Sequence, residues 1–282
     1  SENICEPILL GHTKRINAVK EELGLEFECE SIDVRYDPRR RGAYAKEFHK
    51  LRGRKGLTME DAIRLLKTTT YFGPMMVHMG DADGYLGGIS HNYPDIVKPC
   101  LQTIGPAIDT HRIVGMYMMT VNGQLMFIGD ATINIYPDSR TLAEIAVQTA
   151  KVARRFGVKP KVAMLSFSNF GTSGEMRTDR IEEAIEMARE LDPGIVIDGP
   201  MQADTALIEE IQENYPFMEF DGPANVLICP NLASANIAYK LLQRVAGAEM
   251  TGPILEGLAK PAHVLQRDDS VREVVHMAAI CA

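Results

Sequence analysis

KVAMLSFSNFGTSGEMRTDRIEEAIEMARELDPGIVID, residues 161–198, decides the fold. It opens on Lys161-Val162-Ala163-Met164-Leu165-Ser166, a short apolar run of the kind that makes a strand covered on both faces. From Thr178 to Leu191 the apolar residues Ile181, Ala184, Ile185 and Ala188 recur at the i, i+3, i+4, i+7 spacing of one helix face. Asp192-Pro193-Gly194 stops that helix, and Ile195-Val196-Ile197-Asp198 is a second strand. Strand, helix and strand in so short a span predict a parallel βαβ unit.

The alternation continues on both sides. Downstream, the pattern predicts a helix over Asp204–Asn214, a strand over Asn225–Cys229 and a helix over Ser234–Val245 closed by Gly247. A strand over Ala262–Leu265 and a helix over Ser270–Ile280 follow. Upstream, Thr141–Phe156 reads as a helix with Gly157 at its C′ position. Thr58–Lys67 reads as another, with Thr58 as N-cap and Asp61 three residues on. Arg112–Val121 and Gln124–Asp130 flank Asn122-Gly123, a hairpin signal because both turn residues need positive φ. Pro7-Ile8-Leu9-Leu10-Gly11 reads as a strand running into a glycine turn, which suggests a piece of a longer protein. The predicted class is α/β with mostly parallel sheets and one antiparallel hairpin.

Composition narrows the function. The chain has 282 residues, 45% apolar and 24% charged, the balance of a globular protein of one large or two small domains. Disorder, collagen and coiled coil do not fit it. No apolar stretch approaches the ~20 residues of a membrane helix. Ser1–Glu6 carry neither a basic nor an apolar leader, so the expectation is a cytoplasmic protein without a secretory signal or membrane. A net charge of −8 argues against nucleic acid as a partner. The five cysteines form no CxxC pair and the histidines no HExxH, so reduced thiols are expected and no metal site.

Four segments carry polar chemistry. Arg35–Lys55 is basic in an acidic chain, with Arg39, Arg40, Arg41, Arg52, Arg54 and Lys55 among its cations. Guanidinium forks match phosphate oxygens, so the run is either a phosphate site or a solvated face paired with acids. Ser166–Gly174 follows a strand with small hydroxylic residues and glycines. It is either an anion-cradling turn or a polar loop ending in a helix cap. Ala82–His91 is glycine-rich and holds Asp83 and His91, candidates for acid–base work or ordinary hydrogen-bonded groups. In His263–Glu273, Arg267 lies between a strand and a helix, and Ser270 with Glu273 makes an S-x-x-E capping box.

Taken in order, Val162–Ser166, Asp198-Gly199-Pro200-Met201-Gln202-Ala203-Asp204, Ala224–Leu232, Ser234–Lys240, Gly247-Ala248-Glu249 and Gly252–Pro261 resemble the phosphate acetyl/butyryl transferases. The resemblance extends upstream through Ala82-Asp83-Gly84 and Pro7–Gly11 and so covers essentially the whole chain. Ser168-Asn169-Phe170-Gly171, Pro230-Asn231-Leu232 and Val274–Ala279 look like the C-terminal transacetylase-like domain of large bacterial NADP-dependent malic enzymes. The resemblance implies two α/β subdomains around a cleft. The first would be residues 1–136 with 257–282, lacking its first strand and helix, and the second residues 137–256. It also implies a homodimer or higher homo-oligomer, and acetyl-CoA or CoA as ligand.

Departures from the family pattern shape the functional expectation. Transacetylases carry Ser-Thr-Lys-Gly-Ser where this chain has Ser168-Asn169-Phe170-Gly171-Thr172, so Phe170 replaces a cation. Gln266 stands at the serine expected to contact the thioester, Arg267 matches the family arginine, and Glu273 stands at the aspartate proposed to take the thiol proton. Asp268 and Asp269 are new; at ~4 Å each would repel a phosphate by about 4 kcal/mol at an effective dielectric near 20. The expected reading is therefore a catalytically silent, regulatory acetyl-CoA-binding domain of a multidomain malic enzyme. That parent would oxidatively decarboxylate malate with NADP and Mg2+ or Mn2+, both held by malic and nucleotide-binding domains of the same chain. The alternative is an active phosphate acetyltransferase, and a third reading is a domain that only holds an oligomer together. On this reading Gln266, Glu273 and Phe170 are degenerate catalytic positions. Arg267, Ser168, Asn169, Gly171, Thr172, Arg39, Arg40, Arg41, Arg54 and Asn236 are the expected acetyl-CoA ligands.

Overall fold

The structure, a computed structural model, describes residues 4–108, 110–170 and 179–282. The chain divides into two compact units, Ser1–Thr110 with Leu258–Ala282, and His111–Gly257.

The first unit opens with β1 (Ile8–Leu10), α1 (Thr13–Glu22) and β2 (Glu30–Ile32), β1 and β2 pairing in parallel. Next come α2 (Pro38–Arg52), a single 3-10 turn, α3 (Met59–Leu65), α4 (Thr69–Met79), β3 (Tyr85–Gly87) and α5 (Tyr93–Thr103). Asp37 caps α2 by accepting the Arg40 N–H at 2.9 Å, and Pro38 sits in its first turn, where no N–H is required. The Thr58 hydroxyl accepts the Asp61 N–H at 3.1 Å at the start of α3, as the sequence predicts. Tyr44 and Phe48 of α2 pack with Phe72, Met75 and Met76 of α4 as the core of this unit. Each such side chain stabilises the fold by roughly 1.5–3 kcal/mol through burial.

The second unit holds a six-stranded sheet. Its elements are β4 (Val114–Val121), β5 (Gln124–Gly129), α6 (Ser139–Arg155), β6 (Val162–Leu165), α7 (Asp179–Leu191) and β7 (Ile197–Met201). α8 (Ala203–Leu207), α9 (Glu209–Gln212), β8 (Val226–Ile228), α10 (Leu232–Val245) and β9 (Glu249–Glu256) complete it. The strand order is β7-β6-β8-β5-β4-β9. β7, β6, β8 and β5 run parallel to one another, while β4 is antiparallel to both β5 and β9. Asn122 and Gly123 both take positive φ, 50° and 78°, in the β4–β5 turn.

The expected boundary at residue 136 moves to 110. The hairpin lies inside the second sheet, β5 bonding β8 on one side and β4 bonding β9 on the other. The chain then returns to the first unit with β10 (Ala262–Val264), which pairs in parallel with β3, and with α11 (Val271–Cys281). Among the described residues no helix is long and apolar enough to cross a membrane.

Candidate functional site

In an open α/β sheet ligands approach the carboxyl ends of the parallel strands. In the second unit those ends are the loops after β5, β6, β7 and β8. The loop after β6, Ser166–Phe170, is tied to the loop after β7. The Ser166 N–H donates to the Met201 carbonyl at 2.8 Å and the Phe170 N–H to the Pro200 carbonyl at 2.6 Å. Asn169 Nδ2 donates to Gln202 Oε1 and to the Tyr215 hydroxyl, both at 3.1 Å, and its Oδ1 accepts the Gln202 N–H at 2.8 Å. Gln202 Nε2 donates to the Phe167 carbonyl at 2.8 Å. Ser168 is buried. Phe170 adopts φ 48° and turns its ring onto Tyr215 and Phe217, with centroids 5.1 and 4.9 Å away. The amide of Asn169 is thus spent inside the protein. Gly171 and Thr172, with Thr178 and the rest of 171–178, lie outside the described residues.

After β8, Asn231 caps α10, accepting the Ser234 N–H at 3.0 Å and its hydroxyl at 2.9 Å. Asn236, one turn further, donates to the Ala131 carbonyl at 3.3 Å. After β5, buried Asp130 accepts four bonds: from the N–H groups of Gly115 (3.2 Å), Ile133 (3.1 Å) and Asn134 (2.8 Å), and from Asn134 Nδ2 (2.5 Å). Burial pushes its carboxyl up from the usual aspartate range, and the four donors oppose that shift. Asp130, Gln202 and Tyr215 were not singled out by the sequence. The one usable signal was a short acceptor directly after a strand of the hairpin.

In the first unit the turn between β10 and α11 carries Arg267. β10 ends against the glycine loop: the Leu265 N–H donates to the Gly87 carbonyl at 2.8 Å. A Cβ on Gly88, at φ 139°, would lie 2.2 Å from the Leu265 carbonyl oxygen. Asp269 turns back and accepts the Gln266 N–H at 2.7 Å. Burial raises its carboxyl above the usual range, and neighbouring Glu273 and Asp268 add to this, against that hydrogen bond. Glu273 accepts the Ser270 N–H at 2.6 Å, and the Ser270 hydroxyl accepts the Glu273 N–H at 3.3 Å, the capping box of α11. Glu273 is therefore a helix cap here. Arg267 is exposed, and no ion-pair partner faces it among the described residues.

The basic segment divides. Arg40 faces Glu30 at 3.4 Å and Asp37 at 3.5 Å, and Arg41 donates to the Val34 and Arg35 carbonyls at 3.2 and 2.9 Å. Both are committed within the unit. Arg39 and Arg54 are exposed, without an ion pair among the described residues. His91 contacts the Ser90 hydroxyl at 3.2 Å in an exposed turn.

These elements define an α/β protein with a mostly parallel six-stranded sheet in one unit and, in the other, an exposed Arg267 guanidinium beyond β10. The chain belongs to the phosphate acetyl/butaryl transferase family, whose profile matches residues 1–282. It is 37% identical to a phosphate acetyltransferase of Corynebacterium glutamicum, over 100% of this chain and 86% of that one. A phosphotransacetylase structure from Streptococcus pyogenes superposes with a TM-score of 0.91 at 35% identity, covering 98% of this chain and 84% of that one. The NADP-dependent malic enzyme of Escherichia coli is 36% identical over 98% of this chain and 37% of its own length.

The expectation of a silent part of a malic enzyme is overturned by these likenesses. Several phosphate acetyltransferases match the chain over most of their own length in sequence, and two phosphotransacetylase structures do so as well. The NADP and divalent metal expected with that parent rested on the same reading.

Proposed function

We propose that the protein is a phosphate acetyltransferase exchanging an acetyl group between CoA and phosphate. A phosphate oxygen attacks the thioester carbonyl, the C–S bond breaks, and the proton of HPO4(2−) ends on the departing thiolate. The products are acetyl phosphate and CoA. The observation that carries this reading is Arg267, an exposed guanidinium in the turn between β10 and α11; of its acidic neighbours, Asp269 and Glu273 accept backbone N–H groups and Asp268 is exposed. It supports anchoring of the phosphate or of the oxyanion that forms on the carbonyl. Family membership over the whole chain supplies the acyl chemistry.

The test is phosphate-dependent release of CoA from acetyl-CoA, with acetyl phosphate trapped as its hydroxamate. A charge-assisted bond is worth roughly 1.5–3 kcal/mol. Arg267→Ala should therefore lower kcat/KM by about 10- to 150-fold. No phosphate-dependent release by the unmutated protein would overturn the proposal.

A further inference from the structure

We infer that Tyr215, acting through Asn169 and Gln202, is a positioning residue that holds the strand-end loop Ser166–Phe170 in its working shape. This rests on the acyltransferase reading above.

The loops after β6 and β7 are joined by five hydrogen bonds between 2.6 and 3.1 Å, as described above. Asn169 uses both ends of its carboxamide, and Gln202 uses its backbone N–H, Oε1 and Nε2. Neither side chain can leave without unpairing the other, which makes the two loops one body. Tyr215 joins this body from the turn that follows α9, through a single hydroxyl bond to Asn169. Its ring also stacks on Phe170.

Phe170 sits in the left-handed region, φ 48°, which a bulky side chain leaves unless its surroundings over-determine it. Here the surroundings are the Pro200 carbonyl on its N–H and two aromatic rings on its side chain. The transferase pattern has threonine and lysine at positions 169 and 170. In this chain both replacements end on the same residue, Tyr215. The loop gives up a cation and gains a fixed shape. That shape fixes the loop at the end of a parallel strand, and the proposed reaction needs groups held within a fraction of an ångström.

The experiment compares Tyr215→Phe, Asn169→Ala and the double variant, with kcat and both KM values normalised to folded protein. Tyr215→Phe keeps the ring contacts and deletes one hydrogen bond, worth about fivefold. The expected result is a fall in kcat of about fivefold with KM for acetyl-CoA unchanged. In the Asn169→Ala background Tyr215→Phe should have no further effect, because the route through Asn169 is already cut. Amide hydrogen exchange at Phe170 and Gln202 should quicken in Tyr215→Phe. Unchanged kcat in both single variants, or additive effects in the double variant, would overturn the proposal. So would a lowered melting temperature with unaltered turnover, which a merely structural contact would give. If the unmutated protein forms no acetyl phosphate, the functional reading fails. Unaltered exchange in Tyr215→Phe would then overturn the clamp on its own terms.

Discussion

Carboxylates in this protein act according to where their turns aim them. Asp130 is enclosed by four donors, so an isosteric amide cannot replace it: Asp130→Asn leaves buried N–H groups facing an NH2. Its φ of 40° suits asparagine well, so the loss comes from hydrogen bonding and not from the backbone. Urea unfolding should show about 2–4 kcal/mol of lost stability. Asp269 bears on the pH dependence of stability. Its folded-state pKa is raised, so the stability it contributes is fully present below the unfolded aspartate value near 4 and is lost as pH rises through the folded value. Asp269→Asn keeps an acceptor for the Gln266 N–H and removes the charge. Its unfolding free energy should be flatter with pH above about 4 than that of the unmutated protein; equal pH profiles would refute this. Glu273 was legible from spacing alone, because a capping box is local. Asp269 and Asn169 were not, because the atoms they reach depend on how a turn closes and on a loop from another strand.

At the scale of elements, periodicity located the βαβ units and Asn-Gly located the hairpin. What it missed has physical causes. β9 contains Gly252-Pro253, which reads as a turn; the strand tolerates proline because it lies at the sheet edge and bonds only β4. α4 contains Gly73-Pro74, and its faces are so evenly apolar that no stripe appears, because seven of its residues are buried. The predicted helix over Asp204–Asn214 breaks into α8 and α9 at Ile208, whose backbone is extended. Ser234 was expected to open α10, but Asn231 is its cap. The parallel pair β3–β10 sets a sharp packing demand. Gly88→Ala would place a methyl 2.2 Å from the Leu265 oxygen at a φ of 139°. Relief requires β10 to move from β3, and the cost should exceed about 3 kcal/mol, the range of severe backbone substitutions. Amide exchange at Leu265, which donates to the Gly87 carbonyl, reports the separation directly; a protected Leu265 amide in the variant would refute it.

For the whole molecule, the units differ in how the chain builds them. His111–Gly257 is one continuous stretch, whereas the other unit is assembled from Ser1–Thr110 and Leu258–Ala282. The mostly parallel character of both was legible from alternation. The division at 110 was not, since a hairpin by itself does not say which sheet it joins. β3 finds its partner β10 only across that long insertion, Ala262 aligning with Tyr85. On a ribosome this becomes an order of events. The continuous unit emerges complete while Tyr85–Gly87 still lacks its strand partner, and at roughly 5–20 residues per second that partner follows on the order of seconds later. Until then β3 is an open strand edge, the kind of surface that pairs with other nascent chains. A translational pause near residue 257 would lengthen that exposure, so the codons before Leu258 bear on the yield of folded protein as much as the residues they encode.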